Sequence, residues 1–60
     1  GFMARYVIKQ FNKGVPVAVS VPYRTLQEAK HYRLRMVSLR PERDYRIYRV
    51  EGERETLVEK

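Results

Sequence analysis

Between residues 32 and 49 the chain sets Arg33, Arg35, Arg40, Arg43, Arg46 and Arg49 among Tyr32, Tyr45 and Tyr48, with only Glu42 and Asp44 to offset them. A guanidinium grips a phosphate or carboxylate through paired N–H donors, and both Arg and Tyr stack on planar groups. The chemistry this run suits is the binding of an anionic partner that carries bases or other flat groups. Catalysis is poorly supplied by comparison. His31 is the only histidine and there is no cysteine, so a Cys-His pair is impossible and a Ser-His-Asp set would have one candidate base. His31 falls on the helix surface away from Ala29 and Val37, where an isolated imidazole is ordinarily solvated. Metal binding needs several converging ligands, which one His and scattered carboxylates do not provide. The glycines stand at 1, 14 and 52 and form no phosphate-cradling loop. Neither an enzyme nor a cofactor is expected.

Charge is uneven along the chain. Residues 1–27 contain no acid and carry Arg5, Lys9, Lys13 and Arg24. Residues 1–50 hold eleven bases and three acids, a balance of +8, while residues 51–60 hold four acids and two bases, −2, giving the net +6. A basic body with an acidic end suits an anion binder whose acids temper non-specific attraction. No apolar run reaches the ~20 residues of a membrane span, so no membrane association is expected and the chain reads as cytoplasmic. With 60 residues it makes one small domain, which buries only about 60 % of its unfolded surface and cannot also enclose a large pocket. Gly1-Phe2 before Met3 reads as a cloning remnant. A single domain over 3–50 and an acidic segment over 51–60 are then expected.

Ala4 to Phe11 is rich in β-branched and aromatic residues and predicts a strand, with Tyr6 and Ile8 on one face and Arg5 and Lys9 on the other. Asn12-Lys13-Gly14 is turn chemistry. Val15 to Val21 predicts a second strand, with Val15, Val17, Val19 and Val21 inward and Ala18 and Ser20 outward. Pro16 and Pro22 bracket it and predict an edge position or ends that leave the sheet, because proline cannot donate to a ladder. Thr25-Leu-Gln-Glu28 forms a capping box in which the Glu28 carboxylate returns to the Thr25 amide. The helix it opens should run from Leu26 to about Leu39 and end before Pro41. Leu26, Ala29, Met36 and Val37 share its apolar stripe, with Tyr32 and Leu34 widening it and Arg33 falling inside it. Tyr45 to Val50 predicts a third strand of which either face could point inward. Tyr45 and Ile47 are favoured inside because that leaves a single charged residue at the rim, and residues 53–58 predict a short fourth strand or a frayed end.

The order ββαβ(β) is a two-layer α+β domain, an antiparallel hairpin and third strand with one helix on one sheet face. Tyr6, Ile8, Val17, Val19, Val21, Leu26, Ala29, Met36, Val37 and Ile47 form the expected core. A core this small leaves a sheet edge as a route to a homodimer. The stretch Tyr23 to Ala29, following a hairpin, is similar to the strand-to-helix junction of the arm-type DNA-binding domains of phage integrases. Those domains place three strands before the helix, whereas two precede it here and one follows, and the capping box accounts for most of the shared residues. No residue roles are carried over.

The sheet face away from the helix is the first expected site. There Arg5, Lys9 and Arg46 flank Tyr48, with Lys13 at the hairpin tip, as in single-strand binders that track phosphates with cations and stack bases on aromatics. Lys30 and Arg35 on the outer helix face form a second candidate for phosphate contact. The expected function is nucleic-acid binding with low sequence specificity. The alternative is a protein-interaction module docking an acidic partner surface through the Arg/Tyr face or an open sheet edge.

Overall fold

Lys13 and Gly14 close the first hairpin with φ of 52° and 82°, the two left-handed conformations that a two-residue type I′ turn requires. Asn12 therefore pairs with Val15, and the register of both strands is set from the tip. A lysine in the left-handed region is strained, whereas asparagine adopts it readily. Lys13→Asn is expected to raise stability by about 0.5–1 kcal/mol, or about 2–8 °C in the melting midpoint of so small a domain. Thermal denaturation followed by circular dichroism checks this, and a lowered midpoint would contradict it.

The computed structural model of the protein describes residues 4–60, and the reading of Gly1-Phe2 as a cloning remnant lies outside them. The strands are β1 (Arg5–Asn12), β2 (Val15–Val19), β3 (Asp44–Glu51) and β4 (Arg54–Glu59), with helix α1 (Leu26–Leu39) between β2 and β3. All four strands form one antiparallel sheet in the order β2-β1-β3-β4. The expected α+β architecture is the one observed. β2 lies at an edge, as its prolines allow. Residues 54–59 are a regular strand rather than a frayed end.

Helix α1 crosses the sheet over β1 and β3. Ile8, Ala29, Tyr45 and Ile47 are buried together, and Tyr6, Tyr23, Leu26, Met36 and Val58 pack around them. The Thr25 hydroxyl accepts from the Glu28 amide at 3.1 Å. The Glu28 carboxylate accepts from the Arg24 amide at 3.1 Å, one residue earlier than the expected Thr25 bond. At the other end the Tyr45 hydroxyl reaches the carbonyl oxygens of Met36 at 3.0 Å and Arg40 at 2.6 Å. Those oxygens also accept the Arg40 amide at 2.9 Å and the Arg43 amide at 3.3 Å, so the hydroxyl adds to the bonds that close the helix end. Arg33 sits in the apolar stripe because its guanidinium pairs with Glu59 of β4 and donates to the Lys60 carbonyl at 3.2 Å.

The valine row does not join the core. Val17, Val19 and Val21 are 43 %, 62 % and 68 % exposed, and Val37 is 40 % exposed. The helix lies over the two central strands, so the edge strand has nothing above it to pack against. A bulge also interrupts β2: Pro16 pairs with Phe11 and Ala18 with Gln10, leaving Val17 as the extra residue. One extra residue reverses which side chains share a face. Val19 consequently lies opposite Lys9, while Ala18 and Ser20 lie on the helix side.

Candidate nucleic-acid interface

Alternation along β1 turns Arg5, Val7, Lys9 and Phe11 away from the helix. Opposite them on β3, Val50 pairs with Arg5, Tyr48 with Val7 and Arg46 with Lys9. β4 extends this face with Leu57 beside Tyr48 and Glu55 beside Val50, and β2 adds Val19 and Pro16. Arg5, Lys9, Arg46 and Tyr48 are thus brought together as expected. Ala18 and Ser20, expected as the small floor of this platform, are not on it.

Phe11 is the residue that the sequence reading missed here. Phe11 is 9 % exposed, and the Arg46 guanidinium carbon lies over its ring at 4.4 Å from the centroid. A base cannot reach that ring directly. The Arg46 guanidinium above it is the group that a base would meet. The signal was present: the alternation that carries Arg5 and Lys9 reaches Phe11 next.

Lys9 is not the unpaired cation expected. Its ammonium lies 4.6 Å from the centroid of the Tyr48 ring and donates to Glu55 Oε1 at 2.5 Å. Arg5 donates to the Ala4 carbonyl at 3.4 Å, and Lys13 is exposed at the hairpin tip. Among the described residues, Arg5, Lys13 and Arg46 have no carboxylate within ion-pair distance. On the open face and its hairpin tip, these three are the cations not already held by a carboxylate.

The second candidate surface does not assemble. Lys30 turns toward β4 and pairs with Glu59 at 3.1 Å. Arg35 stands on the outer helix beside His31, Leu34, Ser38 and Leu39. Five positions along a helix separate side chains by about 140°, so Lys30 and Arg35 occupy different flanks. His31 is exposed, as expected, and meets Tyr32 edge-on at 5.1 Å. Tyr32 in turn stacks on Tyr23 at 4.9 Å. Burial pushes the Tyr23 hydroxyl above its ordinary range, and the neighbouring Tyr32 and Glu28 add to the effect.

Two carboxylates of β4 are directed at particular cations. Glu55 takes Lys9 on the open face, and Glu59 takes Arg33 and Lys30 on the helix side. Hydrogen bonds from Arg33 and then Lys30 hold the Glu59 carboxyl below the usual carboxylate range. The acidic end of the chain therefore tempers the basic body by specific pairing. On the open face it leaves the hairpin tip, Arg46 and Arg5 without a carboxylate partner.

Fold and surface together define a small α+β domain with one sheet face covered by a helix and the other open, mixed cationic and apolar. No helix among the described residues is long and apolar enough to cross a membrane. The chain matches no protein-family model, no curated protein and no solved structure. Its functional reading rests on the chemistry of the open face.

Proposed function

We propose that the domain binds single-stranded nucleic acid across its open sheet face, with little sequence specificity and without catalysis, in the cytoplasm. The observation that carries this reading is Arg46 stacked on Phe11 beside Tyr48, with no carboxylate partner, on adjacent strands. A guanidinium plane and a tyrosine ring supply stacking surfaces, and Val7, Val19 and Leu57 between and beside them suit the apolar faces of sugars and bases. Arg5 and Lys13 at opposite ends of β1 are available to the phosphate backbone. Duplex DNA fits less well, because its bases are already stacked and a flat sheet meets only its backbone.

Fluorescence anisotropy with labelled single-stranded DNA, RNA and duplex, titrated over several salt concentrations, tests the proposal. Single strands should bind best, with a linear fall of log affinity against log salt. Replacing Arg5 by Ala should lower that slope by about 0.7, the contribution of one phosphate contact on a single strand, and replacing Arg46 by Met as well should weaken binding further by removing a stacking plane. The Met side chain keeps Phe11 covered, so the fold is retained. A folded double variant with an unchanged slope would place the contacts elsewhere. Binding to no nucleic acid even at low salt would favour a protein partner, for which the exposed Val19 and Leu57 on the same face are suited.

A further inference from the structure

Phosphate attraction does not account for the carboxylate that edge strand β4 places on the open face. Glu55 repels a nucleic-acid backbone, yet it is held against the Tyr48 ring through Lys9: the ammonium is 2.5 Å from Glu55 Oε1 and 4.6 Å from the ring centroid. Lys9 Nζ thus occupies the space in which a base stacked on Tyr48 would lie. Glu55 stands at the edge of that space. Its oxygens are acceptors only, so whatever displaces the ammonium from above the ring must bring donors of its own or leave the carboxylate unpaired. The displaced ammonium stays within reach, tethered to β1, and needs an acceptor.

We infer that, on the nucleic-acid reading above, Tyr48, Glu55 and Lys9 form a subsite selecting guanine at one position of the bound strand. Guanine presents two neighbouring donors, N1–H and the 2-amino group, which match the two oxygens of one carboxylate. Its O6 stands beside them as an acceptor for Lys9. Adenine, cytosine and uracil or thymine each offer a donor at only one ring or exocyclic position on that edge, so each leaves one carboxylate oxygen without a base partner. Tyr48 supplies stacking to any base and Glu55 supplies the discrimination. A single selective position is compatible with low specificity over the whole strand.

The test is anisotropy at fixed moderate salt with short labelled oligothymidylates carrying one central guanine, adenine, cytosine or inosine, for the wild type and for Glu55→Gln. The guanine strand should bind about tenfold more tightly than unmodified oligothymidylate, the scale of one good bidentate base contact. Inosine, lacking the 2-amino group, should lose most of that gain. Glu55→Gln removes an exposed negative charge, so it should bind oligothymidylate more tightly than the wild type and no longer prefer guanine. Equal wild-type affinity for all strands would overturn the subsite and leave the binding platform standing. A guanine preference that survives Glu55→Gln would also overturn it. Binding to none of the strands would remove both the subsite and the platform.

Discussion

Ile47→Ala is expected to leave the domain largely unfolded at 37 °C. Ile47 is fully buried and pairs across the sheet with Ile8, also fully buried, beneath Ala29 of the helix. Truncating a buried isoleucine costs about 2–5 kcal/mol, as the lost transfer energy and the cavity left behind add together. A domain of this size rarely has more than about 3–5 kcal/mol of total stability, so one substitution removes most of it. The small core also limits recovery, because few neighbouring side chains can shift into the vacancy. Far-UV circular dichroism and urea titration measure the effect. Val19→Ala is the contrasting variant: at 62 % exposure it should change stability by less than about 0.5 kcal/mol. If the two variants melted alike, the packing described for β1, β3 and α1 would be wrong.

Ser20→Ala should have the second largest effect, about 1–3 kcal/mol, for a different reason. Beyond the Val17 bulge the chain must continue along β1 toward Tyr23, which exchanges two backbone bonds with Tyr6 at 2.8 and 2.7 Å. Between these points the ladder is irregular. The Ser20 amide donates to the Ile8 carbonyl at 2.9 Å, but the Ile8 amide donates to the Ser20 hydroxyl at 2.8 Å instead of to a backbone carbonyl. That hydroxyl passes its own proton to the Val21 carbonyl at 2.8 Å. Alanine would strand the amide of a fully buried residue, which costs more than the loss of an ordinary hydrogen bond. Ser20→Thr keeps the hydroxyl and should recover most of the stability. Amide hydrogen exchange at Ile8 gives the local readout: it should accelerate in Ser20→Ala and remain slow in Ser20→Thr. Equal protection in both would show that the hydroxyl does not complete the ladder.

Much of the architecture is legible along the chain. Asn12-Lys13-Gly14, the capping box from Thr25 to Glu28, and Pro41 just after the helix are local signals. Each acts on neighbouring backbone, so each can be read without knowing what packs where. The alternation of Tyr45 and Ile47 with Arg46 and Tyr48 is equally local, but which of the two faces is buried was decided by where the helix lies. The cationic side of the candidate site, Arg5, Lys9 and Arg46 with Tyr48, follows from the same alternation. Lys30 and Arg35 show where such reading fails, since a helix has several flanks and β4 claimed one of them.

By itself the sequence determined the order of hairpin, helix and third strand, both ends of the helix and the excess of positive charge. These depend on steric limits of single residues, on hydrogen bonds spanning a few positions, and on composition. Only the tertiary structure decided that Val17 bulges, that Val19 shares a face with Lys9, and that Ser20 completes a ladder. It also decided that Glu55 and Glu59 select their cations and that Phe11 lies beneath Arg46. Each of these is a relation between strands distant in the chain, set by register and by where one helix can lie across four strands. A side chain's pairing in such a sheet depends on its neighbours in space, and no local pattern in 60 residues specifies them all.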